Sequence, residues 1–123
     1  MVAAKATKQG QGGCQLWIRD TLGIKPTDLA VVRAEPRVLA VGLILAQRQI
    51  LIVVAHAPHS QADPEARTAR WESLERLLTS CQQQTPLLLI DANTTVGHAA
   101  SDAFGPLDPD PPNANTADFT QLL

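Results

Sequence analysis

The sequence predicts an α/β domain built on a mixed β-sheet. Four apolar segments follow one another before residue 56, an amphipathic helical segment comes next, and a further apolar segment at 86–91 completes the order strand–strand–strand–strand–helix–strand. Residues 49–91 then read as a βαβ unit with parallel strands and a right-handed crossover. With 123 residues, 45% of them hydrophobic, the chain amounts to one domain with enough apolar material for a core, which excludes wholesale disorder.

Each element has its own signal. Residues 1–12 are rich in Lys, Gln and Gly and have no apolar period, so they are expected to form a flexible tail ahead of a domain over 13–123. QLWIR (15–19) and DLAVVR (28–33) are short strand candidates bounded by Gly23, Pro26 and Pro36. RVLAVGLIL (37–45) and QILIVVA (49–55) are longer ones, joined by a turn at 46–48. The run 50–55 does not alternate, so both its faces are expected to be buried in the middle of the sheet. Asp63, Pro64 and Glu65 supply an N-cap acceptor, a first-turn proline and an acid near the positive helix end. Trp71, Leu74, Leu77, Leu78 and Cys81 recur at helical spacing and are read as core. Thr85 before Pro86 ends that helix. PLLLID (86–91) is expected to be another doubly buried strand, running into a polar loop over 92–97. Residues 105–115 hold four of the nine prolines and form a loop, and 118–123 begin a helix.

Composition narrows the function classes. The formal charge of −2 gives no basic footprint for nucleic acid, although residues 1–60 carry 7 basic and 3 acidic side chains while 61–123 carry 3 and 9. Aromatic residues make up 3% and Tyr is absent, which excludes a base-stacking platform of the RRM type. No apolar run reaches the ~18–20 residues of a membrane span, and 1–13 lack a signal peptide's apolar region. Two cysteines are too few for a disulfide scaffold, so an intracellular, reducing compartment is expected, with Cys14 and Cys81 as small buried hydrophobes. No G-x-S-x-G occurs, so a nucleophile elbow is absent.

Sites in βαβ units collect at the carboxyl ends of the strands. Here those ends are His56-Ala57-Pro58-His59 and Asp91-Ala92-Asn93. His56 and Asp91 are therefore expected on adjacent strands at one sheet edge, facing a shared cleft with Asn93. In order and spacing, AHAPHS (55–60), the helix with Arg67 and Trp71, and LLLIDANTTVG (87–97) resemble the endonuclease/exonuclease/phosphatase superfamily. The likeness is greatest to the endonuclease domains that precede reverse transcriptases in non-LTR retroelements. GCQLWI (13–18), AEPRVLAV (34–41) and Asn113-Ala114-Asn115 extend it over roughly 13–123. Ile90 and Thr116 stand where the family usually has Gly.

The resemblance implies a partial four-layer α/β sandwich, two mixed sheets flanked by helices. It places a strand with a metal-binding Glu before residue 1 and a Ser-Asp-His after residue 123, so the chain is expected to be the middle of such a domain. It implies Mg²⁺-dependent phosphodiester hydrolysis of DNA or RNA, impaired in this segment, with a reverse transcriptase as a one-time fusion partner and no membrane role. Asp91 would orient water and serve as a metal ligand, with Asn93 as a further group that could orient Mg²⁺. Asn93 would hold a phosphoryl oxygen without repelling it, and His56 would donate to the phosphate. His59 and Asn115 would contact phosphate or nucleic acid, Asn115 alternatively fixing Asp91.

Blander readings stand beside these. Asp91 and Asn93 also suit a turn start, His56 a strand-end imidazole satisfied by a carbonyl, and His59, Asn113 and Asn115 ordinary loop chemistry. Trp17 is read as a packing residue, and Arg67 and Arg70 as a solvated helix face. A zinc site of His56, His59, Asp91 and His98 has poor ligand spacing. The remaining rival is a catalytically inactive remnant that binds phosphate weakly, since the acids of the second half oppose DNA unless compensated. The sheet is also expected to expose an unpaired edge and to favour self-association.

Overall fold

A computed structural model describes residues 1–10, 12–95 and 111–122. The fold is α/β, with a two-stranded sheet, a four-stranded mixed sheet and two α-helices. The chain divides into two compact units, Met1–His56 with Leu78–Asp91, and Ala57–Leu77 with Ala92–Leu123. Gln11, residues 96–110 and Leu123 lie outside the described residues; these include His98, the end of the 92–97 loop and most of the proline-rich 105–115 segment.

The first unit holds both sheets. β1 (Val2–Ala4) pairs antiparallel with β2 (Cys14–Leu16). This corrects the expectation of a tail over 1–12. Three residues carry too little period to be read as a strand, but the partner supplies the pairing, and Ala4, Cys14 and Leu16 are buried. The loop between them needs glycine at position 12, where φ is +75° and a Cβ would collide with the carbonyl oxygen of Pro36.

The larger sheet has the order β3 (Leu29–Glu35), β4 (Val38–Leu45), β5 (Arg48–His56) and β6 (Thr85–Asp91). β3, β4 and β5 form an antiparallel meander, with a register shift between Val31 and Arg33. β4 and β5 are joined by two residues, Ala46 and Gln47, both at positive φ (48° and 64°), and Leu45 faces Arg48 across the turn. That is the type I′ geometry, which matches the right-handed twist of the flanking strands. β6 runs parallel to β5, as the crossover reading requires, with Ile50 facing Thr85 and His56 facing Asp91.

The register sorts side chains onto two faces. Leu39, Val41 and Leu43 of β4 lie across from Val54, Ile52 and Ile50 of β5. They pack with Ala4, Cys14 and Leu16 of the small sheet into one core, joined at its margin by Val2, Ile18, Ile24 and Leu29. β1 lies over β3 and β4, and β2 over β4 and β5. Leu87 and Leu89, on the same face in β6, are 48% and 46% exposed. β6 was expected to be doubly buried; it is instead an edge strand, and the narrower sheet does not reach over it. Pro86 suits that edge, where a missing N–H costs no ladder bond. Trp17 is corrected too. It is 73% exposed, and its indole N–H donates to Oε1 of Gln15 at 3.2 Å.

In the second unit, α1 (Pro64–Ser80, which enters the first unit at Leu78) starts where the sequence places it. Oδ2 of Asp63 accepts the Ala66 N–H at 2.9 Å, and the Asp63 carbonyl accepts that of Arg67. Trp71, Leu74 and Leu77 are buried, whereas Leu78 and Cys81 are half-buried. Arg67 is not a simple solvated residue: its Nη1 donates to the Ser60 carbonyl at 3.3 Å. α2 (Thr116–Leu122) begins two residues before the expected start and sets Phe119 against Trp71, with ring centroids 6.2 Å apart.

Candidate functional site

The ends of β5 and β6 bring His56 and Asp91 together. They face each other in the parallel register and continue the rows Ile52–Val54–His56 and Leu87–Leu89–Asp91 on one sheet face. His56 Nε2 lies 3.6 Å from Asp91 Oδ2, with side chains 42% and 66% exposed. Such a pair is open to a ligand, and it becomes a charge pair when the imidazole is protonated. The backbone fixes its position. The His56 N–H donates to the Arg37 carbonyl at 3.0 Å, so this strand end is still paired to the meander where its side chain emerges.

Asn93 and Asn115 belong to the second unit, where they are tied to each other. Asn93 adopts the left-handed conformation (φ 46°), which asparagine tolerates better than most residues. Its Nδ2 donates to the Ala57 carbonyl at 2.8 Å. Its own carbonyl accepts from Nδ2 of Asn115 at 3.1 Å and from Nδ2 of Asn113 at 3.2 Å. Asn115 is 0% exposed, the one buried polar side chain among the described residues. Its Nδ2 also donates to the carbonyl of Pro58 at 2.9 Å and, more weakly, to that of Ala92 at 3.4 Å. Its Oδ1 accepts the Trp71 indole N–H at 3.2 Å.

Asn115, expected to contact phosphate or nucleic acid or to fix Asp91, has no exposed surface and both ends of its amide engaged; it joins 58 and 92–93 to the helix that carries Trp71. Around it, Thr116 Oγ1 donates to the Thr95 carbonyl at 2.8 Å and accepts the Asn113 N–H at 2.9 Å. Thr95 Oγ1 donates to the Pro111 carbonyl at 2.7 Å. His59 is exposed, with Nδ1 accepting the Gln61 N–H at 3.2 Å.

Among the described residues, no three His, Cys, Asp or Glu side chains gather closely enough to hold an ion. His56 and Asp91 offer two donors, and Glu35 at the end of β3 is bound to Arg33 at 2.8 Å. Among the described residues, these donors do not complete a metal centre. The zinc alternative rests partly on His98, which lies outside the described residues.

Sequence reasoning missed the Trp71–Asn115 bond. The available signal was weak: a tryptophan on an apolar helix face, and an asparagine pair in a proline-rich segment. No family model matches the chain, and no curated protein or solved structure matches it.

Proposed function

We infer that this chain carries the phosphodiester-handling corner of a hydrolase of the endonuclease/exonuclease/phosphatase type, with DNA as its substrate. One observation supports this above the rest: an imidazole and a carboxylate stand 3.6 Å apart, exposed, at the carboxyl ends of adjacent parallel strands. The two sheets and two helices agree with part of a four-layer sandwich, and the sequence motifs supply the superfamily. In this reading Asp91 orients a water and takes its proton as the oxygen adds to phosphorus and the bond to the leaving oxygen breaks. His56 donates a hydrogen bond to a phosphoryl oxygen, and solvent protonates the leaving group. Mg²⁺ enters through the resemblance alone, and no step is assigned to it.

A second reading, phosphodiester binding with no turnover, is favoured by the lack of a third ligating side chain beside the pair among the described residues. Losing one transition-state donor typically costs ~10²–10³ in rate, so a site with so few groups should work near background. Binding and turnover separate the two readings. Residues 1–123 are expected to bind a labelled DNA duplex, measured by fluorescence anisotropy, and His56→Ala to weaken that binding. Asp91→Asn is expected to tighten it, because it removes a negative charge facing phosphate, and to abolish whatever nicking of supercoiled plasmid occurs with Mg²⁺. No duplex binding, or binding indifferent to both substitutions, would sink the assignment. Nicking that survives Asp91→Ala would show that the hydrolytic site lies elsewhere.

A further inference from the structure

We propose that β6 pairs edge to edge with β6 of a second copy of this chain, antiparallel about a two-fold axis at Leu88, so that the partner's Thr85 stands opposite Asp91.

The backbone directs this pairing. The His56 N–H donates to the Arg37 carbonyl, so the even-numbered residues of β5 turn their backbone groups toward β4 and the odd-numbered ones toward β6. Val53 faces Leu88 in the parallel register, and in a parallel ladder such a residue bonds to the two that flank its partner. Thr85, Leu87, Leu89 and Asp91 therefore direct their backbone groups inward. Pro86, Leu88 and Ile90 direct theirs outward, where no strand among the described residues meets them. With Leu88 on the axis, the two Leu88 residues exchange a pair of N–H···O bonds, and each Ile90 N–H meets the Pro86 carbonyl of the other copy. A pairing centred on Pro86 would lack its central bonds, because proline has no N–H.

The side chains suit the same register. Leu87 and Leu89, 48% and 46% exposed, fall opposite one another across the axis, so four leucines cover each other. Asp91, the one charged residue of β6, falls opposite a threonine hydroxyl that can donate to it, and not opposite a second acid. The β3 edge offers no such match, with its register shift and its Arg33–Glu35 pair. A strand that pairs with itself closes into a dimer, whereas β6 on β3 would propagate. The second copy thus brings a hydroxyl to the candidate site. Seven residues a side cover less than the ~1,600 Å² of a standard interface, so the dimer is expected to depend on concentration.

Sedimentation velocity on residues 1–123 tests this. Monomer is expected to give way to dimer as concentration rises, with no larger species. Leu88→Pro removes an outward N–H and spares the β5 ladder, so it is expected to weaken the dimer about 10-fold or more. Thr85→Asp sets an acid against the partner's Asp91 and is expected to weaken the dimer about 3- to 10-fold, while Thr85→Lys tightens it by a similar factor. Within one copy Thr85 and Asp91 stand ~20 Å apart along β6, so neither change acts through the chain's own carboxylate. Disulfide formation reads the register in a Cys81→Ser background. Leu87→Cys mixed with Leu89→Cys is expected to cross-link on mild oxidation, and neither variant alone, because only unlike positions face each other.

A chain monomeric at every concentration, an open series of oligomers, or a dimer indifferent to Leu88→Pro would overturn the proposal. So would Leu87→Cys cross-linking with itself, or Thr85→Asp and Thr85→Lys moving the affinity in the same direction. Should Leu88→Pro fail to fold, the Thr85 and cysteine variants decide. The phosphodiester reading is judged separately, by duplex binding, and none of these outcomes alters it.

Discussion

Asn115 shows how much one buried amide can hold. Replacing it with Ala leaves the Trp71 indole N–H and the Pro58 carbonyl without this partner, while the Asn93 carbonyl keeps the Asn113 amide. Each stranded group costs roughly 1–3 kcal/mol, with some relief from relaxation, so Asn115→Ala is expected to lower stability by about 3 kcal/mol. A shift in the urea midpoint at unchanged slope would show it; a change under half a kilocalorie would mean that water replaces the amide. The candidate pair at the strand ends was legible because strand termini in a βαβ unit are set by topology. The direction of Asn115 was not. An asparagine in a proline-rich segment reads the same whether its amide meets solvent or three carbonyls, and only the path of the surrounding chain decides between them. Trp17 and Trp71 make the same point: Trp17 lies between Leu16 and Ile18 in sequence and is exposed, whereas Trp71 lies between Arg70 and Glu72 and is buried.

Among the elements, the longest and most apolar ones were the most legible. β4, β5 and α1 fall where the run of apolar residues, the turn and the Asp63 cap place them. β1 was hidden, because three residues of Val and Ala show no alternation and become a strand only through β2. β6 was seen as a strand but misjudged in its surroundings. A continuous apolar run signals burial on both faces only where the opposing layer is wide enough, and here β2 lies no further across than β5. The β4–β5 turn offers a direct measurement. Gln47 holds φ at 64° with a side chain that disfavours it, whereas the type I′ turn prefers Gly there. Gln47→Gly is expected to raise stability by about 1 kcal/mol, seen as a higher melting temperature. A lower melting temperature would mean that the gain in unfolded-chain entropy outweighs the relieved strain.

For the whole molecule, the unequal widths of the two sheets matter most. β3 carries a register shift and the Arg33–Glu35 ion pair along its edge, features that discourage edge-to-edge pairing. β6 pairs without a shift, has no charge before Asp91, and exposes Leu87 and Leu89. Leu87→Lys and Leu89→Lys are accordingly expected to reduce self-association in light scattering while leaving the thermal transition nearly unchanged. A large fall in that transition would show instead that both leucines are structural. The parallel pairing of β6 also fixes an order of assembly. β3, β4 and β5 meet through short connections, so their contacts close small loops, whereas β6 reaches β5 only after the whole of α1 has been traversed. Closing that longer loop costs more chain entropy and comes late. His56 is laid down with the meander, and Asp91 is expected to join it only when β6 docks, so the two side chains meet only in chains that have closed that last pairing.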